Sequence, residues 1–323
     1  MNPRNQTLAT EFVLLGFSKD LKTNIVLFVV FFLLYLVSIN TNCLILCLVL
    51  INSNLHIPMY FFLCILSIID FCVITTTIPR FLVDLISGQR IISLAACSAQ
   101  FYIVLMLAGA ECFLLTLMAY DRYVAICRPL HYPVVMRWSN CYGMTALAWI
   151  LSFVVFLLPT FVNPVPLCHP NQINHFMCEV VAVSKLACGD IHNTVVIIFV
   201  SCFLVLLLPF LLIITSYIRI LCSVFKVKSA GRAKAFSTCS SHVMVVVLYY
   251  GTAIVMYFRP SSTYTANYGK YFNLFSAVIC PTLNPIIYCL NNKDVKEAQR
   301  KVFYKFQLQF QKIQSHMDIS SKY

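Results

Sequence analysis

Long apolar runs alternate with short polar ones along this chain. Seven runs are long enough to cross a bilayer: Ile25–Leu50, Met59–Leu85, Cys97–Ala119, Tyr142–Val162, Val195–Leu221, Ala235–Phe258 and Tyr271–Leu290. About 20 mostly apolar residues span roughly 30 Å of hydrocarbon. Lipid offers no partner to a free backbone amide, so each run is expected to be helical. The other membrane solution, a β-barrel, needs ten-residue alternating strands, and none is visible. The pattern therefore predicts an all-α membrane protein, a seven-transmembrane helix bundle over residues 25–290, between an N-terminal segment (1–24) and a tail (291–323). In that tail Val295, Ala298, Val302, Phe303 and Phe306 recur at helical spacing. They predict a short amphipathic helix on the membrane surface, against the simpler reading of a plain charged tail.

Composition sharpens this picture. Only 11% of the 323 residues are charged, where a soluble domain carries about 25%. Most of the 16 cysteines stand singly in apolar runs, as Cys43, Cys47, Cys64 and Cys72 do, where they act as small hydrophobes. Cys168, Cys178 and Cys188 are different, because they share one polar stretch. The first residues, MNPRNQTLATEFVLLGFSKD, lack the basic start, apolar core and small-residue cleavage site of a signal peptide. The first apolar run is expected to direct membrane insertion.

Charge gives a direction. With the N-terminus outside, fifteen of the 23 basic residues fall on the inner side, in the second and third inner loops and the tail. The positive-inside rule then favours an extracellular N-terminus and a cytoplasmic C-terminus. A basic inner face suits anionic membrane lipid, so the net charge of +12 calls for no nucleic acid. Asn5 begins an N-x-Thr glycosylation sequon, which is usable only in that orientation. The three clustered cysteines would face the oxidising side.

Five motifs carry a resemblance. They are LHIPMYFF (55–62), MAYDRYVAIC (118–127), SYIRIL (216–221), KAFSTCSSH (234–242) and PTLNPIIY (281–288). In order and spacing the chain resembles the class II-like olfactory receptors, within the rhodopsin-like (class A) G-protein-coupled receptors. Two departures stand out: Thr41-Asn42 replaces the usual Gly-Asn, and Tyr249-Tyr250-Gly251 the usual Phe-Tyr-Gly. The resemblance implies a plasma-membrane receptor, not an enzyme. Its partners would be a small volatile ligand and a heterotrimeric G protein of the stimulatory, olfactory type, raising cyclic AMP. It further implies a coupling switch made of Asp121, Arg122, Tyr123, Tyr217, His242, Asn284, Pro285 and Tyr288, with Asp121 restraining Arg122. Asn284-Pro285 is a candidate hinge, since proline removes a helix hydrogen bond; an ordinary membrane-helix kink is the alternative.

Four oxidised cysteines allow three pairings. The family pattern implies Cys97–Cys178 and Cys168–Cys188. A zinc or copper site is the rival reading, because His169 and His175 lie beside Cys168 and Cys178.

Two acids lie deep in the runs. Asp70 follows Met59 by eleven residues and Glu111 precedes Arg122 by eleven, so each sits about 16 Å from the inner face. Two charged, unpaired carboxylates at that depth are costly. The expectation is a shared Na⁺ or proton near Asn42 and Asn284, supported by the sodium pocket of many rhodopsin-like receptors. The alternative is a protonated carboxyl that serves packing. Beyond this possible structural Na⁺, no cofactor is implied.

For the ligand, Val104, Leu105, Ala108, Gly109 and Cys112 form one stripe on the third run. Helix packing is the competing use, for Ala108 and Gly109 above all. Family position adds Ser201, Val205, Tyr250, Ala253, Tyr257 and Ala277. None is charged, so a small, neutral, mostly apolar ligand is favoured. A transporter would show paired broken helices in related halves, and no internal repeat is visible. A receptor of the same class for a non-odorant small molecule, an ectopic chemosensor, remains the main alternative.

Overall fold

The computed structural model describes residues 9–162, 166–168, 171–188, 192–225, 229–257, 263–291, 294–302, 304, 307, 311 and 314. Among the described residues seven helical segments are long and apolar enough to cross a membrane: Leu21–Ile51, Pro58–Ser87, Leu94–Cys127, Trp138–Leu157, Phe199–Val224, Cys239–Met256 and Gly269–Cys289. They are called the first to seventh spans. The first and third helices run past the predicted apolar limits, because hydropathy marks only the hydrocarbon part of a span. Local chemistry sets their starts. Asp20 caps the first helix by accepting the Thr23 amide, and Ser93 caps the third through Ala96. Pro58 opens the second at a position where its missing N–H costs nothing, and Gly88 closes it at φ 65°.

The fourth, fifth and seventh spans each contain a widened π turn: Phe153–Leu157, Phe203–Leu207 and Phe275–Ile279. A proline follows each turn by two residues, at Pro159, Pro209 and Pro281. A proline ring clashes with the carbonyl four residues back, and one extra residue in that turn relieves the clash. Two carbonyls left free by helix prolines, one before Pro159 and one before Pro285 in the seventh span, are covered from neighbouring helices. Ser201 donates to Val155 O at 2.9 Å, four residues before Pro159. Asn42 and Ser38 donate to Pro281 O at 3.1 and 3.4 Å, four residues before Pro285.

The N-terminal face adds what the apolar pattern did not predict, a small three-stranded sheet. Strand β1 (Glu11–Leu14) is central, antiparallel to β2 (Ile91–Ser93) and parallel to β3 (Gln172–Ile173). Phe12, Leu14, Ile92 and Ile173 are buried beneath it with the Cys97–Cys178 disulfide. A second disulfide joins Cys168 to Cys188. Both bridges are those the family pattern implied. They consume the thiols that a metal site would need, which removes the zinc or copper reading; His169 lies outside the described residues.

Two cations fasten the segment that follows β1. Arg90 donates to Leu15 O and Ser18 O, both at 2.5 Å, and Lys270 donates to Gly16 O at 2.7 Å. Phe17 then stacks on Phe176, with Phe81 and Tyr271 beside it. At the opposite face residues 294–302 are helical. Val295 and Ala298 are buried and Val302 packs against the core, as the spacing predicted. Phe303 and Phe306 lie outside the described residues.

Candidate functional site

Near the C-terminal end of the third helix, Asp121 is fully buried and Arg122 nearly so. Arg122 Nε donates to Asp121 Oδ2 at 2.9 Å and a second guanidinium nitrogen binds the same oxygen. The other carboxylate oxygen accepts the Tyr132 hydroxyl at 2.8 Å. Burial and the neighbouring Asp121 carboxylate push the Tyr132 phenol above its ordinary pKa, so it remains a donor. A buried ion pair is tolerated only when its remaining hydrogen-bonding capacity is met, and Tyr132 does this. Tyr132 sits on a short separate helix (Tyr132–Val135), and no local pattern in the sequence marks it. Tyr123 lies against Tyr120, with the Arg128 guanidinium 6.0 Å from its ring centre.

His242 of the sixth span joins three helices. Nε2 lies 3.1 Å from Leu115 O of the third span, and Nδ1 lies 2.7 Å from the Tyr217 hydroxyl of the fifth. A carbonyl can only accept, so Nε2 carries the proton and Tyr217 donates to Nδ1. Tyr288 is fully buried, and among the described residues its hydroxyl has no hydrogen-bond partner.

Midway through the bundle, the Asn284 amide donates to both oxygens of Asp70, at 3.2 and 3.1 Å. Glu111 is buried within electrostatic reach of Asp70. Its Oε1 has no hydrogen-bond partner among the described residues, and the same holds for Asn42 Oδ1. Asn42 itself turns to the seventh-span backbone at Pro281 O rather than to Asp70. An orphaned carboxylate oxygen beside a second carboxylate suits a hard monovalent cation or a proton. Among the described residues no cluster of three or more His, Cys, Asp or Glu forms a larger metal site.

Along the third-helix stripe, Cys112 is buried while Val104, Leu105 and Ala108 are half-buried. Gly109 faces the fourth span. A Cβ there would fall 2.8 Å from the Phe156 ring and closer still to the Ser152 hydroxyl, which donates to Met106 O. Ser201, Val205, Tyr250, Ala253 and Ala277 are buried in the same half of the bundle. Tyr250 donates to Cys112 O at 3.3 Å. The Tyr257 side chain and Asn5 lie outside the described residues. Towards the N-terminal face, a cleft of about 110 Å³ is bordered by His175, Glu179, Met256 and Asn273. His175 there accepts the Met177 amide on Nδ1, and its Nε2 lies 3.2 Å from the Asn273 amide.

A seven-span bundle whose third helix ends in a buried acid–arginine pair defines the rhodopsin-like G-protein-coupled receptor class. Within that class the chain belongs to the olfactory receptor family. The sequence model of that family, described as "Olfactory receptor", matches residues 31–305. The chain is similar to human Olfactory receptor 2A12, with 42% identity over 303 residues, 93% of this chain and 98% of the relative. It is also similar to human Olfactory receptor 2T27, with 45% identity across 94% of this chain and 96% of the relative. Human Olfactory receptor 10AG1 shares 44% identity over 91% of this chain and 99% of its own length. The protein is a multi-pass membrane receptor and not an enzyme.

Proposed function

We propose that the chain is an odorant receptor of the plasma membrane, with an extracellular N-terminus (1–24), a receptor domain (25–290) and a cytoplasmic tail (291–323). A small, neutral, mostly apolar volatile binds between the spans, along Val104, Leu105, Ala108 and Cys112 and against Tyr250, Ala253 and Ala277. Binding shifts the population towards a form in which the sixth span leaves the third. Arg122 then exchanges Asp121 for a stimulatory, olfactory-type G protein, and cyclic AMP rises. Tyr288, buried with a hydroxyl that has no partner among the described residues, is suited to take a new one in that form.

The observation that carries this reading is the closed arrangement of the coupling end. Asp121 holds Arg122, and His242 holds the third, fifth and sixth spans together. Membrane lipid forms the surroundings, with the basic tail helix along the inner leaflet. Asp70 and Glu111, with Asn284 and Asn42 nearby in the polar core, supply oxygens for a Na⁺ that would stabilise the inactive form. In that state Asn284 orients Asp70 and keeps the seventh span against the second.

The test is a screen of volatiles in cells that report cyclic AMP. At least one agonist should raise the signal, and Arg122→Ala should abolish the response at unchanged surface density. A response that survives Arg122→Ala rules out this coupling mechanism.

A further inference from the structure

Tyr249 belongs to none of the switch positions above, and at this point the chain departs from the Phe-Tyr-Gly of the receptors it resembles. The departure adds a single oxygen. That oxygen donates to Ala108 O of the third span at 2.8 Å and accepts the Cys112 thiol at 3.4 Å. The next residue, Tyr250, donates to Cys112 O at 3.3 Å. Ala108 and Cys112 are one turn apart. Consecutive phenols of the sixth span thus grip the same stretch of the third.

A carbonyl oxygen has two lone pairs and one helical amide to serve. Ala108 O therefore needs no phenol to be satisfied. The Tyr249 bonds are not repairs to the third helix; they tie it to its neighbour. Phenylalanine would keep the ring in place and lose both.

We infer that Tyr249 is a positioning residue whose hydroxyl holds the sixth span against the third and so lowers signalling in the absence of ligand. This rests on the proposed activation by separation of those two spans. The phenol is rigid beyond its two side-chain torsions, so outward motion of the sixth span breaks both of its bonds together. One net hydrogen bond shifts a two-state equilibrium about fivefold.

The experiment compares full-length wild type with Tyr249→Phe, Cys112→Ala and the double variant. Ligand-free activation is read with a panel of G-protein sensors and normalised to surface density. Tyr249→Phe should raise it about fivefold, and Cys112→Ala by less. The double variant should match Tyr249→Phe, because the thiol bond is already gone. Adding Arg122→Ala to Tyr249→Phe should return the signal to background. Ligand-free activation within twofold of wild type in Tyr249→Phe, while Arg122→Ala still lowers the wild-type signal, overturns the inference. If no variant signals through any sensor, the coupling reading has failed, and thermal unfolding of the purified receptor decides alone. A lower midpoint for Tyr249→Phe then supports the tie, and an unchanged midpoint overturns it.

Discussion

The Tyr217 hydroxyl donates to Nδ1 of His242 across 2.7 Å, in a direction fixed by the far side of the same ring, where Nε2 can only donate to Leu115 O. One imidazole thus binds the fifth span to the sixth and the sixth to the third.

Replacing His242 by Phe removes both bonds and keeps an aromatic ring. Each buried bond is worth about 1 kcal/mol net, so ligand-free signalling should rise about tenfold or more. Tyr217→Phe loses one bond and keeps the other to Leu115 O, so its rise should be smaller. Sensor measurements at matched surface density would expose an error if the two variants ranked the other way.

Glu111 supplies the test of the mid-bundle site. Raising sodium should lower ligand-free signalling of the wild type by about fivefold if the coupling is of ordinary size. Glu111→Gln keeps the shape, removes the charge and should flatten the sodium response. Equal sodium sensitivity in the two proteins would sink the ion reading and leave a protonated carboxyl.

Gly109 has no space for a side chain on its fourth-span side. Gly109→Val forces the Phe156 ring and Ser152 away, and overpacking of this kind costs about 1–3 kcal/mol. The purified variant should unfold at a lower temperature, and less of it should reach the surface. A wild-type midpoint would mean that the third and fourth spans separate at little cost.

His175 predicts acid sensitivity of the N-terminal face. Burial and the Lys270 charge lower its pKa from 6.5 to about 3. The folded form therefore binds fewer protons than the unfolded one between those values. The stabilisation is complete above pH 6.5 and is lost as pH falls towards 3, by about 1.4 kcal/mol per unit. Amide protection of Glu11–Leu14, corrected for the base-catalysed intrinsic exchange rate, should be lower at pH 5.5 than at pH 7.5. In His175→Gln, which can still accept the Met177 amide, the pH dependence should shrink. Protection that is the same at both pH values in the wild type would refute this.

The spans and the acid–arginine pair were legible because each is written in contiguous residues. A 20-residue apolar run and the string MAYDRY need no partner to be recognised. Tyr132 beneath Asp121, Asn42 on Pro281 O and Tyr249 on Ala108 O were not legible. The last two join residues far apart in the chain and the first reaches across a loop, and nothing local distinguishes such a tyrosine or asparagine from one without a partner. Gly109 was ambiguous from the start, since a small residue can border a ligand or admit a helix, and only the position of Phe156 separates the two uses. Prolines 159, 209 and 281 were visible, but their effect was not. The widened turns rotate the following half of each helix, so positions counted along an ideal helix drift beyond them.

The central place of β1 in the small sheet bears on the order in which the molecule is made. The ribosome delivers β1 before either of its partners, and the parallel one at Gln172 follows Val13 by about 160 residues. At roughly 5–20 residues per second the strand waits on the order of ten seconds or more. Four spans are synthesised in that interval. The centre of the small sheet therefore acquires its second edge only after more than half of the membrane-crossing helices exist.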